Sequence, residues 1–155
     1  MIEVWFLQAC SMGPTEADFA AARQQDAQRS AQQMQSTRES FQAQVRATSL
    51  PANYQQLIDA EFVATLKDPE SRKIVYGRNP YGSLVCGTLN ARNSYGGYTG
   101  QQPFHAYFTA TGKLAELLIY SPSDVEGIRA GRQRGYSRDP EFNKLVVILE
   151  DCHLL

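Results

Sequence analysis

The spacing of apolar residues predicts helices in the first part of the chain and mainly strands after it. Residues 15–48 contain no Gly, Pro, Tyr or Lys, and sixteen of these 34 residues are Ala or Gln, a composition typical of a helix. Ala20, Ala27, Met34 and Phe41 recur every seven residues, but the row four residues further on is only half apolar, so a strong coiled coil is not expected. A continuous helix here would be about 50 Å long. It would be either a spacer or a low-complexity helix that packs on its own domain or is partly disordered.

A second helix is predicted after the break at residues 49–51. Its apolar face is formed by residues at helical spacing, namely Tyr54, Leu57, Ile58, Phe62 and Leu66. The Asp68-Pro69 pair should end this helix, because a residue that precedes proline disfavours helical backbone.

Short apolar and β-branched runs then predict three to four antiparallel strands. The runs are residues 74–76, 84–89, 104–108 and 114–120. An Asn-Pro-Tyr-Gly sequence at residues 79–82 is a turn by composition and makes the first two runs a hairpin.

The C-terminal third is more ambiguous. Residues 122–135 are polar and hold three glycines, so they are expected to be a loop or a short helix. Residues 145–149 fit a strand or a helix, and a helix is favoured because Asp139-Pro140 is a helix start.

The fold class predicted from these elements is α+β. A small antiparallel sheet of three to four strands would be packed by two helices and preceded by the long Ala/Gln-rich helix. The predicted divisions are a signal-peptide remnant at 1–14, a helical spacer at 15–48 and a compact domain at 49–155.

Composition and charge exclude several functional classes. The net charge is -1 and the pI is about 6.1, which argues against binding nucleic acid or an anionic membrane by bulk charge. No apolar run approaches the roughly 20 residues that span a bilayer. His105 and His153 lack metal-ligand spacing, and Cys86 with His105 would make a poor nucleophile site, because a cysteine in an apolar strand is a poor thiolate. We therefore expect no metal, no cofactor and no catalysis.

The residues around Cys10 resemble the lipobox of bacterial lipoproteins. Leu7 stands three before the cysteine, Ala9 directly before it and Ser11 after it. In that family the signal peptidase cuts before the cysteine, which is then acylated. Only nine residues precede Cys10 and none is Lys or Arg, whereas a signal peptide needs a basic start and an apolar stretch. The lipidation prediction thus assumes that the reading frame begins further upstream or that its start is altered. The alternative is a chance cysteine in an apolar segment.

Cys86 and Cys152 remain once Cys10 is assigned to lipidation. If the domain is exported, they are the pair left to form a disulfide. The alternative is two buried free thiols in a cytosolic protein.

A longer motif resembles a group of small, uncharacterised Gram-negative proteins, many of them exported or lipoprotein-like. The matching segments are Leu-Lys-Asp-Pro-Glu-Ser at 66–71, Val-Cys-Gly at 85–87 and Asn-Ala-Arg-Asn-Ser-Tyr-Gly-Gly-Tyr at 90–98. The group has Asp where this chain has Glu70 and Lys where it has Arg92. The resemblance covers about residues 57–110, with a further possible match at 142–152, and implies no activity. The group also carries a C-terminal cysteine near the end of a helix, which supports the Cys86–Cys152 pairing by analogy.

Two segments are candidate binding sites. The first is the loop formed by Asn90, Asn93, Tyr95, Gly96, Gly97, Tyr98 and Gly100. Its tyrosines on a tight Gly/Asn frame suit a recognition surface, but they equally suit a wide turn whose tyrosines pack on the sheet. The second is the basic run of Arg129, Arg132 and Arg134, which could bind an anion or could be a solvated surface.

The function predicted from the sequence is that of a non-catalytic, lipid-anchored protein on the periplasmic face of the cell envelope. The partner would be an envelope protein or peptidoglycan, and the membrane would be engaged through the lipid anchor alone. Alternatives are an inhibitor or immunity protein against an envelope hydrolase, and a small cytosolic binding domain.

Overall fold

The computed structural model describes residues 13–77, 79–135, 137 and 139–155. The elements follow in the order α1 (Glu16–Arg46), α2 (Tyr54–Thr65), β1 (Asp68–Tyr76), β2 (Leu84–Arg92), β3 (Gln102–Phe108), β4 (Leu114–Ile119), α3 (Pro122–Gln133) and α4 (Pro140–Asp151). The predicted α+β class is confirmed, with four strands in the sheet and the long helix ahead of it.

The sheet is a simple antiparallel meander in the order β1-β2-β3-β4. Side chains alternate between its two faces, because successive strand residues point in opposite directions. One face packs against α2. The other face packs against α1 and α4, with α3 beside α4.

The predicted apolar face of α2 forms the first core. Ile58 and Phe62 are fully buried, and Phe62 packs edge to face on Phe104 with ring centroids 5.2 Å apart. Gly87 lies beneath this contact, and a Cβ there would lie 2.5 Å from the Phe104 ring. The strand therefore needs a glycine at this position.

The second half of α1 belongs to the other core. Met34, Phe41 and Val45 are buried with four consecutive residues of α4, namely Val146, Val147, Ile148 and Leu149. From Glu16 to Gln33, by contrast, α1 has no buried side chain. This first half extends about 27 Å beyond the core at 1.5 Å per residue. The long helix thus packs on its own domain over one half and leaves the other half solvated, and its role as a spacer stays a prediction.

Residues 122–135, expected to be a loop or a short helix, are mostly helical. Ser121 and Asp124 form a reciprocal capping box at the start of α3, which offsets the cost of its internal glycines. Gly131 is also required by packing, because a Cβ there would lie 2.6 Å from the Phe142 ring of α4. The polar sequence concealed a helix whose glycines permit close packing.

Strand β1 is longer than the predicted residues 74–76. It begins at Asp68, where the sequence predicted only a helix end, and contains a register shift between Asp68 and Lys73. Arg72 lies within this bulge and its Nε is 2.7 Å from Asp59 Oδ1 of α2. The chain thus passes from the end of α2 at Thr65 to the start of β1 at Asp68 within three residues.

A disulfide joins Cys86 of β2 to Cys152 at the end of α4, which confirms the predicted pairing. Polar contacts fix the other end of α4. Lys144 Nζ lies 3.0 Å from Glu116 Oε2, and Glu116 Oε1 lies 2.9 Å from Nε2 of the fully buried His105. Because an ionised carboxylate only accepts, Nε2–H donates to Glu116, and Nδ1 on the other side of the ring lies 2.7 Å from the Tyr120 hydroxyl.

Removing the disulfide should destabilise the domain strongly. The bond spans 66 residues of sequence, and a loop of that size corresponds to roughly 4 kcal/mol in the chain-entropy model. We expect the Cys86→Ser/Cys152→Ser variant to lose up to that free energy of unfolding in urea. The Cys10→Ser variant, which keeps the disulfide, is the control and should unfold at the wild-type urea concentration. A double variant as stable as the wild type would contradict this prediction.

Glu116 should make stability depend on pH in acid. Its hydrogen bond with His105, together with the Lys144 ammonium, lowers its pKa to about 2. A lowered carboxyl pKa stabilises the fold above the unfolded value of about 4.3, and this stabilisation is lost as the pH falls toward 2. Glu116→Gln should therefore cost about 2 kcal/mol at pH 7.

The measurement is urea unfolding of wild type and variant from pH 7 to pH 2. The difference between them should shrink below pH 4, because the wild type then loses the same charge. Glu61→Gln on the exposed face of α2 is the control. A difference that stays constant with pH would show that the charge of Glu116 does not stabilise the fold.

Candidate functional site

One part of the sheet is left without a covering helix in the part of the chain that the structure describes. It consists of alternate residues of β1 and β2 that share the face toward α4, and we call it the open strip: Lys73, Val75, Gly77, Thr88, Asn90 and Arg92. Val75 is 59% exposed although it is apolar and lies in a strand. A lone exposed apolar side chain is ordinary on a protein surface, so the strip is a candidate site because of the groups that surround Val75 rather than because of Val75 itself.

A cleft of about 520 Å³ lies at the Gly77 end of the open strip. Its walls come from the end of α1, the turn before β2 and the C-terminal turn after α4, and they include Gln42, Arg46, Tyr81, Asp151, Cys152 and His153. Cys86 and Cys152 both line it, so the disulfide forms part of its surface.

Some charged groups that line the cleft bond to another polar or charged side chain, whereas Arg46 lies over a tyrosine ring. Asp151 accepts hydrogen bonds from the Tyr81 hydroxyl and from Gln42 Nε2 at 3.2 Å. Burial, and then this carboxylate, raise the pKa of Tyr81, so its hydroxyl stays a donor. Glu150 pairs with Arg38 and lies 2.7 Å from Arg132. Arg46 instead lies over the Tyr81 ring, with Cζ 4.8 Å from the centroid.

The predicted loop forms the tip of the β2–β3 hairpin at the other end of the strip. Asn93 holds the tip together: its Oδ1 accepts from the backbone N–H of Tyr95 at 2.9 Å and of Gly97 at 3.2 Å. Its own N–H donates to the Gly97 carbonyl at 2.8 Å. Gly96 has φ 79°, a conformation that favours glycine. Asn93 and Gly96 thus have the structural roles that the sequence suggested, whereas Asn90, expected to hold the same turn, lies in β2.

The two tyrosines of this tip behave differently. Tyr98 is the bridge partner of Arg92 and packs on the strip, with Lys73 Nζ 5.1 Å and Arg92 Cζ 5.3 Å from its ring centroid. Tyr95 is 96% exposed. The structural interpretation of the loop therefore holds for Tyr98, which packs on the sheet, whereas Tyr95 projects into solvent and its role in recognition stays a prediction.

The remaining predicted loop residues flank this arrangement. The pairing of the two arms of the hairpin shifts by one residue between Leu89↔Gln102 and Arg92↔Tyr98. Gly100 lies at this shift and has φ 83°. Asn90 lies on the strip opposite Lys73. Its Oδ1 is buried and has no hydrogen-bond partner within the described residues, which leaves an acceptor at the centre of the strip.

The predicted anion site does not join the strip. Arg132 pairs with Glu150, and Arg129 pairs with Glu126 and donates to the Leu154 carbonyl at 3.3 Å. Arg134 is exposed at the end of α3. Two of the three guanidinium groups thus already have internal acceptors, as expected for a solvated surface segment. The anion-binding role stays a prediction.

The residues considered for catalysis have structural partners. His105 is the register partner of Cys86, but its ring bonds to Glu116 and Tyr120 and the cysteine is in the disulfide. The described residues include no group of three His, Cys, Asp or Glu able to hold a metal, and no described helix is long and apolar enough to cross a membrane. Cys10 lies outside the described residues.

Sequence reasoning missed most of the strip. Lys73, Val75 and Thr88 become neighbours only through the register of β1 against β2, and Arg46 meets Tyr81 only through the packing of α1. The motif that contains Asn90 and Arg92 was the one available signal.

Comparison with protein-family models, with curated proteins and with solved structures finds no match to this chain. The candidate site therefore rests on its own geometry.

Asn93→Ala should loosen the hairpin tip without unfolding the domain. The variant loses two side-chain hydrogen bonds, each worth about 1 kcal/mol, so the amides of Tyr95 and Gly97 should exchange roughly fivefold faster or more. Hydrogen exchange read by NMR measures this. Ser94→Ala, in the same tip, is the matched control. Unchanged exchange in the Asn93 variant would mean that the tip is held by the backbone alone.

Proposed function

We propose that the protein is a non-catalytic, lipid-anchored component of a bacterial cell envelope whose disulfide-stapled domain binds a protein or cell-wall partner through the open strip. The observation that carries this proposal is the strip itself. It joins an exposed apolar residue, a cleft and a preorganised aromatic tip on one rigid sheet, and such rigidity lowers the entropy cost of binding.

Two features support the compartment. The Cys86–Cys152 disulfide suits an oxidising environment such as the periplasm. The residues around Cys10 resemble a lipobox, and in chain order the solvated first half of α1 comes after that cysteine and before the domain. A solvated helix suits a spacer that holds a binding domain away from a membrane surface.

A second candidate function is inhibition of an envelope hydrolase. It is favoured by Tyr95, which is 96% exposed at the end of a tip that Asn93 braces. A rigid aromatic residue that projects from a turn is well suited to enter an active-site cleft. If so, Tyr95→Ala would abolish inhibition of a cell-wall hydrolase, whereas loss of the lipid anchor would leave it unchanged.

The lipid anchor is tested by the intact mass of the native protein from the membrane fraction. We expect a chain that begins at Cys10 with acyl groups attached, and two further thiols that label only after reduction. Cys10→Ser should move the protein to the soluble fraction, with Cys86 and Cys152 still bridged. A soluble chain that begins at Met1 with three labelable thiols would contradict the envelope location.

Partner binding is tested separately by placing a photo-crosslinking amino acid at Val75. We expect specific crosslinks to an envelope protein or to peptidoglycan. Val63, which is 45% exposed on α2, is the matched control position and should give none. Equal crosslinking from the two positions would remove the support for the strip as the binding surface.

A further inference from the structure

Strand β1 is an open edge of the sheet. The Gly77 N–H donates to the Cys86 carbonyl at 2.8 Å, and hydrogen bonding alternates along an antiparallel pair. The backbone groups of Lys73 and Val75 therefore point toward β2, and those of Ile74 and Tyr76 point away from it. Within the described residues, neither Ile74 nor Tyr76 has a backbone hydrogen bond to any element beyond the sheet.

Three cations beside this edge have no carboxylate partner among the described residues. Lys73, Arg92 and Arg46 make no ion pair within 4.0 Å in the described part of the chain, although other arginines of the fold do. Asp68 is the register partner of Arg92, yet the two side chains form no ion pair. Each of the three cations instead lies over a tyrosine ring.

The tyrosines hold these cations at the two ends of the open strip. Tyr98 positions Lys73 and Arg92 at one end, and Tyr81 positions Arg46 at the cleft. The free edge between Lys73 and Gly77 spans about 13 Å. Stacking on a ring restrains each cation and leaves its charge available to a ligand.

We infer that the β1 edge accepts an extended acidic segment of a partner protein as a fifth strand, with its carboxylates facing Lys73, Arg92 and Arg46. Main-chain hydrogen bonds to Ile74 and Tyr76 would supply affinity, and the cations would select acidic side chains. This inference rests on the proposed function, because it names the chemistry of the partner at that same strip.

The observations favour a peptide over the other possible occupants. A glycan chain would not match the strand-spaced donors and acceptors at Ile74 and Tyr76. A second copy of this chain paired at the same edge would bring its own Lys73 and Arg92 to a surface that already carries these cations, which adds to the local positive charge. The bulge before Lys73 limits the free edge to residues 73–77, about the length of a short strand.

The test uses the purified full chain with its disulfide intact and a capped peptide of alternating Glu and Val, about seven residues long. We expect it to slow hydrogen exchange of the Ile74 and Tyr76 amides by about tenfold or more. The Val75 amide, already bonded to β2, should not change. A peptide with Lys in place of Glu is the control and should not bind.

Charge recognition is tested with Lys73→Gln/Arg92→Gln, which should weaken binding of the Glu–Val peptide by about tenfold or more. The matched control, Arg23→Gln/Lys113→Gln, makes the same change in net charge on α1 and on the β3–β4 turn. It should alter binding by less than about twofold. Equal losses in the two variants would overturn the assignment of the cations.

Other outcomes would also overturn the inference. The first is peptide binding that leaves hydrogen exchange of the Ile74 and Tyr76 amides unchanged. The second is binding of polygalacturonate that depends on Lys73 and Arg92. The third is a dimer, measured by sedimentation velocity, that the Lys73→Gln/Arg92→Gln variant abolishes. If the peptide fails while Val75 still crosslinks to an envelope partner, the proposed function stands and only this inference falls. If both fail, the strip is not a binding surface.

Discussion

A twelve-residue helix, about 18 Å long, does not cover the full face of a sheet whose second strand runs for nine residues, about 30 Å. The position of α4 therefore decides which part of that face stays open. Two contacts set this position: the disulfide fixes its C-terminal end to β2, and Lys144 fixes its first turns to Glu116 of β4. With α4 held across these strands, none of the described helices covers the β1 side of the face.

The same constraint gives α1 its divided character. Only the turns from Met34 onward reach α4, so burial begins there and the preceding turns remain solvated. The polar composition of residues 15–48 fits this arrangement, since a helix with one short contact needs few apolar side chains. The capping box at Thr15 and Asp18 supports the end that has no core beneath it.

Much of the fold could be predicted from local patterns, because the apolar face of α2 and the strand runs carry strong periodicity. The helix α3 was harder, since its glycines argue against a helix until Phe142 of α4 is seen against Gly131. The start of β1 was missed because an Asp-Pro pair predicts the end of a helix but does not predict which element follows. Of the site, only the hairpin tip was visible in the sequence. The cations that lie over Tyr98 and Tyr81 are brought there by strand register and helix packing. These are contacts between distant parts of the chain, which local sequence patterns do not predict.

The disulfide has a consequence beyond stability, because its two cysteines also form part of the cleft wall. Before oxidation, the C-terminal turn that carries Cys152 and His153 is no longer tied to β2, and the cleft loses a fixed boundary. The disulfide thus completes both the attachment of α4 to β2 and the wall of the cleft. Under the proposed function, a newly made chain whose cysteines are still reduced would present an unfinished cleft to its partner.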